Sequence, residues 1–252
     1  MKDHPEVSVI TPVRDGAAYL EESARSVLGQ THSSLELLII DDGSRDASLA
    51  EARTLAAGDS RVQVLQTRGG EGAGVARNIG LAAARGRYVA FLDCDDQWLP
   101  EKLALQLDFM RQEGAWFSYT AYEKVDAKGR RRDRIVQVPA RLGHGDLVGG
   151  CPIGCSTVLI DTRVTGSIRM PPLVRSQDFA LWLRLLRRHG SARGLATPLT
   201  LYREHAGSLS GDKFSKLGAA WAIFRRQEGL SLARSAGGLV AYAVHGFRKR
   251  LI

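Results

Sequence analysis

The run Arg87-Tyr-Val-Ala-Phe-Leu-Asp-Cys-Asp-Asp96 ends an apolar segment in carboxylates at positions 93, 95 and 96. On an extended backbone Asp93 and Asp95 point the same way, and a following turn can bring Asp96 close to both. Anions so placed repel one another unless a cation lies between them. Mg²⁺ or Mn²⁺ prefers oxygen ligands and binds one or two carboxylates together with substrate phosphates. The run therefore reads as a metal site serving a nucleotide diphosphate. Its competing reading is a solvated turn in which Asp96 caps a helix running from Trp98 onward.

Those residues need a scaffold. Val7 to Thr11, Glu36 to Ile40, Arg61 to Gln66 and Tyr88 to Leu92 read as strands, and helical patterns fill Ala17 to Leu28, the stretch to Ala57 capped by Ser44 or Asp46, and Val75 to Ala84. Nearly continuous apolar strands alternating with helices predict an α/β, doubly wound half over residues 7–113, with a parallel sheet covered on both faces. Ligands bind such sheets at the carboxyl ends of the strands, where Thr11, Asp41-Asp42 and Asp93-Asp95-Asp96 converge. After Gly114 the pattern turns α+β. Ala115 to Val125 and Arg134 to Val138 form a hairpin around Asp126-Ala-Lys-Gly129, Ser156 to Ile160 and Leu199 to Arg203 are strands, and Phe179 to Arg188 is a helix. This second half, to residue 213, shapes a site for a second substrate.

The 252-residue chain carries net charge +8, with 44% hydrophobic and 25% charged residues, the balance of an ordinary globular protein able to bury a full core. Neither a secretory signal nor the ~20 apolar residues of a membrane span is visible, so the expected compartment is the cytoplasm. Cys94, Cys151 and Cys155 have no metal-type spacing and read as reduced thiols, Cys94 as a small filler. Residues 201–252 hold nine Lys/Arg against three acids, a local excess of +6. Residues 214–252 form a basic amphipathic helical tail, with Trp221, Phe224, Leu232, Leu239, Tyr242 and Phe247 among Arg225, Arg226, Arg234 and Arg248-Lys-Arg250. Such a tail either lies on an anionic bilayer, at the inner face of the plasma membrane, or packs on the domain with its charges solvated. Thin aromatic interleaving and the lack of a nucleic-acid motif argue against nucleic acid as a partner. No repeat or low-complexity segment stands out.

Four ordered motifs resemble the family-2 inverting glycosyltransferases of the GT-A fold: Val-Ser-Val-Ile-Thr-Pro-Val at 7–13, Ile-Ile-Asp-Asp-Gly-Ser at 39–44, Ala-Arg-Asn-Ile-Gly through Phe-Leu-Asp-Cys-Asp-Asp at 76–96, and Gln-Asp-Phe-Ala-Leu-Trp-Leu-Arg-Leu at 177–185. The resemblance implies a Rossmann-type nucleotide-binding half with a mixed sheet, an α+β acceptor half and a helical tail. It implies a nucleotide pocket of Thr11, Pro12, Val13, Asp41, Arg77 and Asp93. Asp41 would accept from a base or ribose, and Arg77 would meet a diphosphate. It points to Asp95 and His205 for a metal, Mg²⁺ or Mn²⁺, and to Asp178 as the base that activates an acceptor hydroxyl, on a helix start that favours negative charge. Asp96, Asn78, Trp98, Gln177 and Arg203 are further candidates. Asn78 bonds either the pocket or the neighbouring backbone, Trp98 lines the acceptor groove or packs on its helix, and Arg203 clamps phosphate. His205 contacts the metal or diphosphate or is structural, and Asp178 has a helix N-cap as its bland alternative. Tyr202 to Ser210 resembles a segment that closes over the diphosphate. Many relatives have Glu where this chain has Gln177, which removes a charge beside the base.

The implied reaction moves a sugar with inversion from a nucleoside diphosphate-sugar, a UDP-sugar first among them, to a hydroxyl acceptor. If the tail touches membrane, that acceptor is a polyprenyl-diphosphate-linked glycan of surface polysaccharide assembly. Two other classes share parts of the pattern. A sugar-nucleotide pyrophosphorylase would show a Gly-rich basic loop near the N-terminus, but residues 11–20 hold one Gly and Arg14. A non-catalytic sugar-nucleotide-binding or scaffold protein is hinted at only by Gln177. A nicotinamide enzyme is disfavoured because Gly72-Ala-Gly-Val-Ala-Arg77 ends in Arg where the dinucleotide fingerprint has its third Gly.

Overall fold

Apolar runs alternating with amphipathic segments build one mixed sheet in a computed structural model that describes residues 4–205 and 213–251, without the side chains of 213–216, 245 and 247–251. The first half follows the expected alternation: β1 (Val7–Val13), α1 (Ala17–Leu28), β2 (Leu35–Asp41), α2 (Ser48–Gly58), β3 (Val62–Gln66), α3 (Ala73–Ala83) and β4 (Tyr88–Phe91). Then come β5 (Gln97–Trp98), α4 (Lys102–Glu113), β6 (Phe117–Val125), β7 (Arg131–Val136), β8 (Arg141–Leu142), α5 (His144–Val148), β9 (Leu159–Asp161), α6 (Thr162–Thr165), α7 (Gln177–His189) and β10 (Ala192–Arg203). The tail is two helices, α8 (Lys213–Ala222) and α9 (Leu232–Leu251), joined through a π-helical turn at Ile223–Gln227.

The strand order is β3-β2-β1-β4-β9-β6-β10-β5, with β7 on β6 and β8 on β10. β1 to β4 are parallel, β9 enters antiparallel between β4 and β6, and β10 runs parallel to β6. Both halves therefore share one sheet. The strand expected from Ser156 is interrupted, because Cys155–Thr157 make a 3₁₀ turn before β9. The hairpin is present, with its second strand shifted to Arg131–Val136.

Side chains alternate across β1 as a pleated strand demands. Val7, Val9 and Val13 join the core beneath α1, α2 and α4, whereas Ile10 joins the opposite core beneath α3 and α7 with Phe91, Phe117 and Trp182. Trp182 is fully buried against Phe91 and Phe117. The residue just before α2 is Ala47, and Asp46, one position earlier, accepts the Ser48 N–H at 2.9 Å and so serves the helix start expected of it. Asp46 also takes the Ala17 N–H at 3.0 Å, and Ser48 Oγ the Gly16 N–H at 2.9 Å, so the two residues fasten the start of α1.

Lys102 is a costly exception in the core. It is fully buried, lies 3.8 Å over the Trp98 ring and donates to the Val158 carbonyl at 3.4 Å. Burial pulls its amine well below the usual lysine range. Between that lowered value and ~10.4, the unfolded chain holds a proton that the folded chain lacks, so stability rises with pH through this window. Lys102→Met is expected to stabilise at neutral pH by about 1–3 kcal/mol, since it removes a poorly satisfied buried amine. The gain should shrink toward pH 10, as read by urea denaturation at several pH values. A gain that does not change with pH would contradict this account.

Candidate active site

The carboxyl ends of β1, β2, β4 and β10 form one rim. β4 stops at Phe91, and the acidic run beyond it folds as a turn, with the Asp96 N–H on the Asp93 carbonyl at 3.0 Å. This separates the three carboxylates into two roles. Asp93 and Asp95 keep 35% and 24% of their side chains exposed, whereas Asp96 is turned inward and 1% exposed.

Asp96 is therefore a structural lock. Its Oδ2 accepts from Ser156 Oγ at 2.6 Å, and its Oδ1 from the Arg203 N–H at 3.0 Å. Burial and the fields of Asp95 and Asp93 push its carboxyl well above the usual range, partly offset by those two donors. Ser156 also receives the Asp93 N–H at 3.1 Å, and its carbonyl receives Trp98 Nε1 at 2.7 Å. The 3₁₀ turn thus holds both ends of the acidic turn. Nothing in the sequence marked Ser156, which lies 60 residues from Asp96 in the chain.

Trp98 is 3% exposed and does not line a groove, because its indole is spent on that carbonyl and its face on Lys102. Arg203 is likewise not a free phosphate clamp. Nε bonds the Asp95 carbonyl at 2.8 Å, Nη1 the Ala127 carbonyl at 3.1 Å and Nη2 Glu22 Oε2 at 2.8 Å, while the guanidinium lies 4.9 Å over Tyr19. It ties β10, α1 and the hairpin turn to the backbone of the acidic turn. Asn78 settles on the backbone alternative, donating to the Met170 carbonyl at 3.1 Å and accepting the Met170 N–H at 2.7 Å.

His205, two residues past β10, sits 2.9 Å from Asp95 Oδ2 and 5.2 Å from the Tyr19 ring. The remainder of the expected closing segment, residues 206–210, lies outside the described residues. Burial and the Asp93 charge push the Asp95 carboxyl up, and His205 pulls it back. Among the described residues no group of three His, Cys, Asp or Glu side chains is placed to hold a metal by itself. Two part-exposed, mutually repelling carboxylates with an adjacent imidazole still suit a hard divalent ion whose remaining ligands are substrate oxygens. The donor set fits Mg²⁺ or Mn²⁺.

On the other side of Asp93, Arg77 Nη2 donates to Oδ1 at 2.5 Å. Burial alone would lower the Arg77 pKa, but Cys155, Asp93 and Asp178 outweigh it and push the value up. The buried Cys155 thiol is itself pushed well above its usual range and is neutral at pH 7, so the two carboxylates are the acting partners. Arg77 thus lies in the fields of both Asp93 and Asp178, and its Nε is buried without a protein partner. Asp178 is in the first turn of α7 and is not its N-cap, a position taken by Ser176. Gln177 is a packing residue. Its Nε2 bonds the Val174 carbonyl at 2.9 Å, and a Cβ on Gly74 of α3 would lie 3.0 Å from its Cγ.

At the nucleotide end, Thr11 Oγ1 is buried with no protein hydrogen-bond partner. Pro12 and Val13 contribute buried walls, Val13 as part of the core. Asp41 is 1% exposed and already accepts the Gly43 N–H at 3.1 Å and the Ser44 N–H at 3.3 Å, so its carboxylate is committed to the turn that follows β2. Asp42, placed at the strand ends by the sequence but given no role there, organises the rim by accepting Thr67 Oγ1 at 2.6 Å and the Glu71 and Gly72 N–H groups at 2.8 Å. The two loops touch at Gly43, in a left-handed conformation, where a Cβ would lie 2.7 Å from Gly69 Cα. Cys94 is the expected filler: a Cβ on Gly16 would lie 2.8 Å from its sulfur.

The glycosyl transferase family 2 profile matches residues 8–158. The chain is a family-2 glycosyltransferase. TuaG of Bacillus subtilis, named for teichuronic acid biosynthesis, is 38% identical to this glycosyltransferase over 98% of each chain. The Escherichia coli UDP-Glc:alpha-D-GlcNAc-diphosphoundecaprenol beta-1,3-glucosyltransferase WfaP is 35% identical over 84% of this chain and 82% of its own. In architecture the glycosyltransferase is similar to S. aureus TarS, solved with UDP-GlcNAc, at a TM-score of 0.73, 18% identity and coverage of 96% and 73%. A Pyrobaculum calidifontis mannosyltransferase, solved with GDP-Man and Mn²⁺, gives a TM-score of 0.66 at 17% identity, covering 95% and 69%. These likenesses establish the GT-A type of mixed sheet. Among the described residues, no helix of the glycosyltransferase is long and apolar enough to cross a membrane.

Proposed function

We propose that this enzyme transfers one sugar, with inversion, from a UDP-sugar to a hydroxyl of a polyprenyl-diphosphate-linked glycan in surface polysaccharide assembly. Relatives named for that chemistry support the reading. The observation that carries it is the buried guanidinium of Arg77, which bonds donor-side Asp93 and lies in the field of Asp178. Asp178 takes the proton of the acceptor hydroxyl, whose oxygen attacks the anomeric carbon from the face opposite the diphosphate. The bond from that carbon to the phosphate oxygen breaks, and its electron pair leaves with the diphosphate. Asp95 and His205 would hold a divalent ion together with substrate oxygens, and the ion would supply Lewis-acid stabilisation of the departing charge. Thr11 and Arg77 Nε, each buried without a protein partner, meet the nucleotide sugar. The basic tail brings the enzyme to the anionic inner face of the membrane, where such an acceptor resides.

Thermal-shift measurements with UDP, GDP, dTDP and CMP, each with Mn²⁺, Mg²⁺ or EDTA, test the donor side. UDP with metal at 100 times its Kd is expected to add ~2.7 kcal/mol, and EDTA or Asp95→Asn should remove most of the effect. Stabilisation by no nucleotide under any condition would remove the donor site from this reading.

A further inference from the structure

α9 has two different faces. On one, Gly238 and Ser235 are buried and the Tyr242 ring lies 5.4 Å from Phe179, the residue after Asp178. The tail therefore backs directly on the start of the helix that carries the proposed base. On the other, Leu232, Val240 and Val244 are 64%, 65% and 46% exposed. Together with exposed Ala236 they repeat every four residues, which aligns them in one stripe. A crevice of about 300 Å³ opens beside this stripe, between α5 and α9, lined by His144, Gly145, Val148, Leu230, Gly237 and the exposed Arg234. That volume is at the small end of ligand sites.

The glycines here differ in kind. Gly238 is required by packing, since a Cβ would lie 3.0 Å from Val148 Cγ1 and 3.3 Å from Phe224 Cε2. Gly237 and Gly145 have nothing within 4 Å of a Cβ. Glycine inside a helix lowers its stability, so a glycine at 237 that no neighbour demands leaves space open. One wall is fixed by Glu228, whose buried carboxylate meets His144 Nε2 at 2.7 Å and Arg187 Nη1 at 3.3 Å. Arg234 has no acidic partner among the described residues.

We propose that this crevice receives the isoprenoid chain of the acceptor's lipid carrier, with Arg234 meeting its phosphate, while the stripe of α9 rests on the bilayer. This rests on the lipid-linked acceptor reading. An apolar channel beside an apolar stripe suits a hydrocarbon chain leaving the membrane, and an unpaired guanidinium suits the phosphate at its end. The contact between Tyr242 and Phe179 joins this tail to the start of the helix that carries Asp178.

Flotation of the full chain with phosphatidylcholine vesicles carrying either undecaprenyl phosphate or phosphatidylglycerol at equal charge tests the assignment. The wild type is expected to bind the undecaprenyl phosphate vesicles at least about tenfold more tightly. Gly237→Leu, which fills the crevice, and Arg234→Gln should each reduce binding to the phosphatidylglycerol level, with the UDP thermal shift unchanged. Gly145→Leu fills the same space from the opposite wall and replaces Gly237→Leu if that variant folds poorly. Equal wild-type binding to the two lipids, or a preference that survives the filling and charge variants, overturns the assignment. A missing UDP response in the wild type counts against the donor reading and leaves the lipid result to stand separately.

Discussion

Asp178→Asn is expected to lower kcat by about 10²–10⁴-fold, the usual contribution of a positioned general base. The amide keeps the size of the carboxylate but cannot take the acceptor proton. Because Asp178 sits in the first turn of α7 without capping it, the substitution leaves the Ser176 cap position and the packing of Phe179 to Leu186 intact. Melting temperature and UDP binding should therefore hold while turnover of UDP-sugar collapses, a split a folding defect would not produce. Retained turnover would remove Asp178 from the mechanism.

Arg77→Met should damage both fold and reaction. Removing one partner of a buried ion pair costs about 3–5 kcal/mol when the other charge stays buried. Asp93 is 35% exposed and can recover some hydration, so about 2–3 kcal/mol is the expected loss in urea denaturation. Arg77→Lys is not expected to restore activity, since an ammonium lacks the planar set of donors that lets one Nη bond Asp93 while Nε stays available to a ligand. The double variant Arg77→Met/Asp93→Asn separates the two effects. It removes the unpaired carboxylate and should recover much of the stability with no return of turnover. Additive losses in the double variant would mean that the pair is not the coupling on which the site depends.

The chain order of strands and helices, the alternation that sorts Val7, Val9 and Val13 from Ile10, and the collection of Thr11, Asp41 and the acidic run at strand ends were all legible in the sequence. Each depends on periodicity and local turn chemistry, which act over a few residues. The motifs carried the family, and hence Asp178 and Arg77. What each acid does at the rim was decided elsewhere. Asp93, Asp95 and Asp96 are near-identical in sequence context, and only the approach of Ser156, Arg77, Arg203 and His205 makes Asp96 a buried lock and leaves the other two open. Those partners lie 16 to 110 residues away along the chain, and β9 entering antiparallel beside β4 is what places Ser156 there. Arg203 and Trp98 have the side chains of ligand-binding residues, but burial and committed donors made them structural. Likewise the tail sequence showed a basic amphipathic pattern, while the packing of α9 against α5 and Phe179 decided which of its faces remains open. Sequence set the chemistry available at each position; the tertiary contacts, by burying some charges and leaving others unpaired, set which of that chemistry is free to act.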